Sequence, residues 1–557
     1  MSLTELQQEV PVRHSPPAVV VLSPERTRVQ GSGYWVALGL AIALGIAVRA
    51  FHVLSHDFPL NDGGLFFAMV RDLQAADYHL PAFTSYNVAA IPFGYSPLGF
   101  YLAGLLDDLT PLTLLDVFRW LPLTVTALIV IAFAWLAHAL LASRTAAVVA
   151  VVAFGLLPRS FIWMLMGGGL TRSLGFLFAL VTLRFLYAFY TERRWKYVPL
   201  ISLAAGLTLL SHLGTAPFTG FSAVLFLLAY GRHRHAVLGS AVAAVGAVLL
   251  SAPWWYTVVQ MHGIEPFLAA GASGGSIFGA LRLQDMIHTL ALFGVGTAES
   301  VLAVVGMLGV LGFLLALSRG DWLLPAWWIS IVLLDARQGS TFSMVPVALL
   351  AGVGVTHLLL PALRQIPVPT LRRTPGRAAW PASVVLGLLL AFATASAFVR
   401  NPAKPGGLTD LGGLSWQERA AITWVERETS PDARFLIISG TAWEIDRNSE
   451  WLPVLANRKS VATVQGYEWR AVGEFAKKKR EYVNLQGCAA WTSQCLQDWA
   501  RSTGVGFTHV YIPKSPDRPC CQLLRYSLDR DPAYRLIYDG PGAALFVRRR
   551  PLHLASE

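Results

Sequence analysis

Two aspartates lie just after the first long apolar run of the sequence. Asp57 and Asp62 belong to the segment HDFPLNDGGLFFAMVRDL, residues 56–73. A carboxylate at such a place can take a proton from a bound hydroxyl group. The alternative for Asp62 is structural, because Asn61 or Asp62 could be the N-cap of the following helix GGLFFAMVRDLQ. Asp57 could assist through a hydrogen bond or as a metal ligand, or it could be a solvated loop acid.

Basic residues lie at the ends of other apolar runs. Arg172 in MGGGLTRS follows three glycines, which would let the backbone approach a ligand at a helix N-terminus that favours an anion. His212 lies in LSHLGTAP and Arg337 in LLDARQGS. Because charge at membrane depth is costly, these residues are expected to face a cavity and bind an anion, and Arg49 is expected to extend outward or pair with an acid. The alternatives are arginines that reach lipid headgroups and a hydrogen-bonded histidine at a helix end.

The composition requires that these residues be positioned by membrane helices. The 557 residues are 54% hydrophobic and 14% charged, with a mean hydropathy of +0.51, which lies outside the range of soluble globular proteins. Apolar runs long enough to cross a bilayer predict about eleven spans, of which the sixth and ninth are short. They are Gly33–His52, Val117–Leu141, Ala146–Trp163, Leu170–Tyr190, Tyr197–Gly214, Pro217–Tyr230, Ala236–Val259, Thr297–Leu317, Trp322–Asp335, Thr341–Leu360 and Trp380–Val399.

The distribution of Lys and Arg predicts the orientation of the chain. With the N-terminal tail (residues 1–32) in the cytoplasm, most basic loop residues fall on the cytoplasmic side, as the positive-inside rule requires. Two long loops, 52–116 and 260–296, then lie outside, and an odd number of spans places residues 401–557 outside as well. We therefore expect a multi-pass protein of the plasma membrane, with a transmembrane domain over residues 33–400. The net charge of +11 comes mostly from the basic residues in the cytoplasmic loops, and their distribution does not indicate nucleic-acid binding.

Residues 401–557 read as a separate α/β domain. Ser415 and Glu418 have the spacing of a capping box, and the segments RFLIIS, THVYIP, YRLIYD and AALFVRR are typical of strands, the last two forming a hairpin. All four cysteines, Cys488, Cys495, Cys520 and Cys521, lie here. Disulfides suit an oxidising exterior, with three connectivities open, whereas a zinc site does not fit the seven-residue spacing of the first pair.

This organisation resembles the glycosyltransferase C (GT-C) superfamily, which includes the oligosaccharyltransferase catalytic subunit, protein O-mannosyltransferases and the aminoarabinose transferase. The likeness rests on the large first outside loop with an early acidic residue, the Pro-Leu-aromatic helix in GYSPLGFYLAGLL, the number of spans and the C-terminal α/β domain. Asp62 matches the acidic position. Two departures are Asp62-Gly63, where many relatives have Asp-Glu, and the absence of WWDYG, which argues against N-glycan transfer.

The resemblance implies an inverting transfer of a sugar from a polyprenyl phosphate or diphosphate to an acceptor. Such a transfer needs one carboxylate at the acceptor hydroxyl and positive groups at the leaving phosphate. Asp62 would be the base, and Arg337, Arg172 and His212 would contact the phosphate and the sugar. No cofactor is implied. A divalent cation, Mg²⁺ or Mn²⁺, would suit carboxylate and phosphate oxygens, but the sequence contains no complete ligand set for a metal.

Other functional classes stay open at this stage. A secondary transporter or flippase is also polytopic, but it would normally contain inverted repeats and acids buried within spans, neither of which is evident. A catalytically inactive relative that scaffolds an envelope complex is a third hypothesis. The sequence lacks HExxH, GxSxG and nucleotide-binding motifs, which excludes the common proteases, hydrolases and ATP-driven pumps.

Overall fold

The computed structural model of the protein describes residues 31–273, 296–300, 302–334, 338–365, 380–399, 411–514 and 520–549. The described chain is a mostly helical membrane protein with a C-terminal sheet domain, as predicted. The helices before residue 274 are α1 Gly31–Leu54, α2 Gly64–Ala75, α3 Leu98–Leu109, α4 Leu114–Leu140, α5 Arg144–Leu156, α6 Ile162–Leu165, α7 Gly169–Glu192, α8 Tyr197–Ser211, α9 Ala216–Tyr230, α10 Arg234–His262 and α11 Glu265–Ser273. They are followed by α12 Val304–Ser318, α13 Leu323–Leu334, α14 Gly339–Phe342, α15 Met344–Gly354, α16 Leu360–Arg364 and α17 Trp380–Phe398.

The apolar helices match the predicted spans in position. Among the described residues, six helical stretches are long and apolar enough to cross a membrane, and a bent pair makes a seventh if it is counted as one span. Four further apolar helices are shorter: Tyr197–Ser211, Val304–Ser318, Leu323–Leu333 and Ala382–Phe398. The multi-spanning helical architecture is therefore confirmed, while the number of eleven crossings stays a prediction.

The predicted third span is broken, with a bend of 81° between α5 and the helical turns that follow it. Pro158 has no backbone N–H, so the carbonyl of Phe154 loses its helical donor. The Ser160 hydroxyl donates to that carbonyl at 2.8 Å. The next carbonyl, that of Gly155, accepts from the Arg49 guanidinium at 3.0 Å. The polar backbone groups that the bend exposes are thus satisfied inside the protein.

Arg49, in α1, is fully buried and donates hydrogen bonds to the residues at this break. Its second guanidinium nitrogen donates to the Ser160 hydroxyl at 3.0 Å, and the group lies 4.8 Å from the centre of the Phe161 ring. The sequence predicted that Arg49 would extend outward or pair with an acid. It does neither within the described part of the chain, because its two Nη groups donate to carbonyls and a hydroxyl.

The first long loop, residues 55–113, is ordered by short elements. It contains α2, α3 and a small antiparallel pair, β1 Phe83–Thr84 with β2 Ile91–Pro92. Its apolar side chains join those of the C-terminal domain in one buried cluster, which includes Phe66, Phe100 and Trp451. Loop and domain therefore form a continuous core, and the loop conformation depends on both.

The C-terminal domain has a five-stranded sheet in the order β4-β3-β5-β7-β6. Its strands are β3 Arg434–Ile437, β4 Lys459–Ser460, β5 His509–Pro513, β6 Tyr534–Asp539 and β7 Ala543–Arg548, and its helices are α18 Trp416–Glu428, α19 Arg447–Leu455, α20 Glu474–Gly487, α21 Ser493–Thr503 and α22 Gln522–Arg530. The pairs β3–β4 and β3–β5 are parallel, and the predicted terminal hairpin β6–β7 is present. The short strand β4 was not predicted.

Side chains of the sheet alternate between two cores. Phe435, Ile437 and Tyr511 face the cluster shared with the first long loop, while Leu436 and Val510 face a second cluster within the domain. Because both faces are buried, these strands read as continuous apolar runs. The capping box of Ser415 and Glu418 opens α18 as predicted.

The four cysteines form two disulfides. One joins Cys488 to Cys495, and the other joins the adjacent residues Cys520 and Cys521. Of the three connectivities that the sequence allowed, the structure therefore has the one that pairs near neighbours.

Candidate functional site

Asp62 and Arg172 lie together at the N-terminus of α7. The Oδ1 atom of Asp62 accepts the backbone N–H of Gly168 at 2.9 Å, and Oδ2 lies 2.9 Å from Nη2 of Arg172. Gly168 is the N-cap residue of α7, so the carboxylate sits at the positive end of the helix dipole. The side chains of Asp62 and Arg172 are 15% and 22% exposed, so both are partly buried and still accessible to a ligand. Two candidates from the sequence thus meet in one site.

Arg172 is held by two further contacts with one tryptophan. Its Nη1 atom donates to the carbonyl of Trp163 at 3.1 Å, and the guanidinium lies 5.4 Å from the centre of the Trp163 ring. A planar guanidinium can make these contacts and the ion pair at the same time, whereas an ammonium group has a different geometry.

Two of the three glycines before Arg172, Gly167 and Gly168, make room for the Asp62 loop. A Cβ atom on Gly168 would lie 2.5 Å from Asp62 Oδ2 and 2.9 Å from Arg172 Nη2. A Cβ atom on Gly167 would collide with the Asp62 carbonyl oxygen. The sequence predicted that these glycines would let the backbone approach a ligand. In the structure, the Asp62 loop of the same chain occupies the space beside them.

The helix after Asp62 takes its N-terminal cap from another domain. The N-cap residue of α2 is Gly63, with no side-chain cap of its own, so neither Asn61 nor Asp62 has the capping role considered from the sequence. The backbone N–H groups of Gly63 and Leu65 donate instead to the carboxyl group of Glu450 in α19, the first at 2.9 Å. Glu450 is therefore the residue that satisfies the start of α2.

Glu450 is 4% exposed and close to Asp62. Burial and the negative charge of Asp62 raise the pKa of the Glu450 carboxyl to about 8, from an ordinary value of 4.5, while the hydrogen bonds from the loop and the charge of Arg172 oppose the shift. At neutral pH this group is thus mostly protonated and neutral.

Residues of the C-terminal domain hold the backbone on both sides of Asp62. The indole N–H of Trp451 donates to the carbonyl of Asn61 at 2.9 Å, and the Asn61 N–H donates to the carbonyl of Gly412 at 2.8 Å. Leu60 pairs with Gly413 in a single β-bridge. Asn61 has a φ of 52°, a conformation that asparagine tolerates better than most residues. The position of Asp62 is thus set by segments nearly 400 residues away in the chain.

Asp57 has a different environment. Its two carboxylate oxygens lie 3.0 and 2.5 Å from the guanidinium nitrogens of Arg419 in α18. Its side chain is 68% exposed, and the hydrogen bond from Arg419 lowers the pKa of the Asp57 carboxyl. The structure therefore pairs Asp57 with the C-terminal domain, while its predicted part in the reaction stays a prediction.

His212 lies beside the same helix as Arg172. It follows α8, its Nδ1 atom is 2.8 Å from the Thr215 hydroxyl, and a Cβ atom on Gly175 would lie 2.7 Å from the Cβ of His212. Gly175 is three residues after Arg172, so both predicted residues flank the first turns of α7. Arg337 lies outside the described residues, although the amide of its neighbour Gln338 approaches the segment after His212.

Solved structures with this arrangement of elements are known. The oligosaccharyltransferase AglB of Archaeoglobus fulgidus, in complex with an inhibitory peptide and a dolichol-phosphate, is 14% identical and has a TM-score of 0.56 over 86% of this chain and 69% of its own. ArnT from Cupriavidus metallidurans bound to undecaprenyl phosphate is 14% identical, with a TM-score of 0.50 over 95% of this chain and 100% of its own. A mycobacterial arabinofuranosyltransferase, AftD, is 17% identical, with a TM-score of 0.53 over 94% of this chain and 40% of its own. These three proteins are GT-C enzymes.

The chain has the GT-C fold. No protein-family model and no curated protein sequence matches it. The GT-C architecture inferred from the sequence is therefore confirmed by structural likeness, at a sequence identity too low to carry over individual residues.

The described residues offer no complete set of side-chain ligands for a metal ion at the Asp62 site, and the divalent cation considered from the sequence stays a prediction. Both oxygens of Asp62 already accept hydrogen bonds, and those of Glu450 accept from Gly63 and from Gln465. In the described ranges, no group of three or more His, Cys, Asp or Glu side chains could hold a metal ion. We therefore derive no step through a divalent cation.

Glu450, Trp451 and Trp163 are the residues of this site that the sequence did not identify. Glu450 and Trp451 begin the segment EWLPVLANR. Trp451 is buried in the core shared with the first long loop, and its indole N–H donates to the Asn61 carbonyl. The one local indication that Glu450 belongs to a site is its position, a glutamate next to apolar residues.

Proposed function

We propose that this protein is an integral membrane glycosyltransferase that transfers a sugar from a polyprenyl phosphate or diphosphate to an acceptor, with inversion and with Asp62 as the base. The observation that carries the proposal is the accessible carboxylate of Asp62, fixed between the Gly168 N–H and the Arg172 guanidinium. The GT-C fold supports it, since two neighbours of that fold are described with dolichol-phosphate and with undecaprenyl phosphate.

The proposed reaction is a single displacement. The acceptor hydroxyl oxygen bonds to the anomeric carbon while the bond from that carbon to the phosphate oxygen breaks, so no covalent intermediate forms. The hydroxyl proton passes to Asp62, and the polyprenyl phosphate leaves with the bonding electron pair. Each oxygen of Asp62 accepts one of the hydrogen bonds described above and has a second lone pair for the acceptor hydroxyl.

The basic residues have the task of neutralising the leaving phosphate. Arg172 is already beside the base, and His212 lies along the same helix, so a phosphate near α7 would contact both. Arg337 is the third residue that we assign to the phosphate. Asp57 contacts the C-terminal domain through Arg419, and we assign to it the assisting role predicted from the sequence.

The distribution of basic residues supports a location for this reaction. The N-terminal tail lies in the cytoplasm, and the first long loop and the C-terminal domain lie on the outer face of the plasma membrane. The acceptor is a glycan, protein or lipid of the cell envelope that approaches between these two parts. The sugar is a hexose or a pentose.

The experiment that tests the proposal measures transfer of radiolabel from a panel of polyprenyl-phosphate sugars. It compares membranes with the wild-type protein, Asp62→Asn and the control Asp77→Asn, at matched expression. Asp77 is an exposed acid of the same loop with a φ of 48°, which asparagine also adopts. We expect Asp62→Asn to lose at least about 100-fold in rate, as is typical for removal of a general base, while donor binding and the control stay normal.

Equal transfer by Asp62→Asn and the wild type would remove Asp62 from the mechanism. Transfer by neither would favour a transporter, a flippase or a catalytically inactive scaffold. The broken third span is typical of transporters, but its freed carbonyls are satisfied by Arg49 and Ser160 rather than facing a cavity.

A further inference from the structure

We propose that Glu450 is a positioning residue of the Asp62 site, which holds the Asp62 loop in the geometry that the reaction requires. The inference deepens the proposed function and rests on it. Glu450 does not touch the reacting groups in this scheme. It acts through the backbone of Gly63 and Leu65, which lie immediately after Asp62.

The Asp62 loop has no room at position 63 for a side chain that could hold its backbone. Gly63 has a φ of 131°, and a Cβ atom there would lie 3.0 Å from the Trp451 ring and 3.1 Å from the Cα of Gly167. A carboxyl group close to Asp62 must therefore come from another element. The helix α19 supplies it, with Glu450 Oε1 2.9 Å from the Gly63 nitrogen.

The helix that carries Glu450 is fixed to the first long loop at several points. The Tyr86 hydroxyl donates to the Glu450 carbonyl at 2.9 Å, and the Trp451 indole donates to the Asn61 carbonyl. The Gln465 amide lies 3.2 Å from Glu450 Oε2. Displacement of Glu450 would therefore move the Asp62 backbone rather than be absorbed by α19.

The charges around Glu450 favour its neutral form. Asp62 and Arg172 face it from the loop and from α7, and Arg172 is used by Asp62 in the ion pair. Tyr86 faces it from the loop, and the negative charges of Glu450, Asp446 and Glu468 all act on the Tyr86 hydroxyl. A neutral carboxyl keeps acceptor capacity for both printed contacts, the Gly63 N–H at Oε1 and the Gln465 amide N–H at Oε2.

Ionisation of Glu450 would add a second negative charge beside Asp62. Its pKa of about 8 places this change in the alkaline range. The added charge would repel both Asp62 and the phosphate of the donor. Transfer should therefore decrease as the pH rises above about 8, for a reason that resides in Glu450.

The test compares pH profiles of transfer for the wild type, Glu450→Gln, Glu450→Ala and the control Glu418→Gln. Glu418 is another buried glutamate of the domain, and glutamine preserves its capping box. We expect Glu450→Gln to lack the alkaline decrease. Glu450→Ala should lose at least about tenfold in kcat across the whole range with its KM for the donor little changed, since misplacement of reacting groups by 1 Å can cost about 100-fold.

Either of two kinetic results would overturn the inference: an alkaline decrease in Glu450→Gln equal to that of the wild type, or wild-type rates in Glu450→Ala. A second measurement separates this failure from failure of the proposed function. A carboxyl with a pKa of 4.5 unfolded and about 8 folded binds a proton only in the folded state between these values, so stability falls as the pH rises through that window.

Glu450→Gln has no such proton, so its Tm relative to the wild type should increase between about pH 5 and about pH 8. This readout needs no substrate. If transfer is absent in the wild type but the Tm difference has this pH dependence, the proposed function fails while the neutral state of Glu450 stands. A Tm difference that does not change with pH would contradict the neutral carboxyl and with it the inference.

Discussion

Asp62 and Arg172, 110 residues apart in the chain, form an ion pair with 2.9 Å between Oδ2 and Nη2. The pair lies at the N-cap of α7, and both of its members are partly accessible. A carboxylate and a cation in this relation can orient an acceptor hydroxyl and a leaving phosphate within one small volume. Changes to either residue should therefore affect transfer more than folding.

Arg172→Lys should reduce transfer by at least about tenfold, and Arg172→Ala by at least about 100-fold. Lysine keeps the charge but lacks the planar fork that contacts Asp62 and the Trp163 carbonyl together. Initial transfer rates at saturating donor measure the effect. Arg71→Lys is the control, because Arg71 is an exposed arginine of the first long loop. Equal rates for Arg172→Lys and the wild type would show that only the charge matters.

Gly168→Ala should abolish most transfer without preventing insertion or expression. The new methyl group would lie 2.5 Å from Asp62 Oδ2 and 2.9 Å from Arg172 Nη2, so the ion pair would have to open. Gly39→Ala is the matched control, since a Cβ atom on Gly39 meets nothing within 4 Å. A transfer assay on both variants gives the comparison, and normal activity of Gly168→Ala would mean that this local geometry is not required.

Asp57→Asn should have a small effect on stability that depends on pH and salt. Arg419 lowers the pKa of Asp57, so the pair stabilises the folded protein above the ordinary pKa of 3.8 and loses this contribution as the pH falls through the lowered value. Because Asp57 is largely exposed, the contribution is about 1 kcal/mol or less. A double-mutant cycle with Arg419→Gln, followed by Tm near neutral pH at low and high salt, measures it. A coupling that does not weaken with salt would contradict an exposed pair.

Arg49→Met should lower the Tm clearly. It removes the donors to the Gly155 carbonyl and the Ser160 hydroxyl at the break after α5, and an unsatisfied buried acceptor costs about 1–3 kcal/mol. Arg194→Met, at an exposed arginine between α7 and α8, is the control. Thermal unfolding in the same detergent compares them, and an unchanged Tm for Arg49→Met would show that the break is stable without this arginine.

Much of the fold could be predicted from the sequence because it depends on local patterns. Apolar runs located the membrane helices, the capping box of Ser415 and Glu418 located α18, and a Gly-Pro-Gly turn located the terminal hairpin. Asp62 and Arg172 were predicted for the same reason, since each is a charge next to an apolar run. Composition and spacing are sufficient for such features, because their physical cause lies within a few residues.

The remaining features required the tertiary structure, because their partners are distant in the chain. Gly63 and Glu450 are 387 residues apart, so no local pattern indicated that α2 is capped from the C-terminal domain. Two other features likewise depend on which helices pack together: the acceptors of the two Arg49 Nη groups and the bend at Pro158. Local patterns in the sequence indicated where the membrane helices lie and which charged residues are unusual. Packing between segments decided which of those charges meet, because ion pairs and buried hydrogen bonds form only where the fold brings both partners out of water.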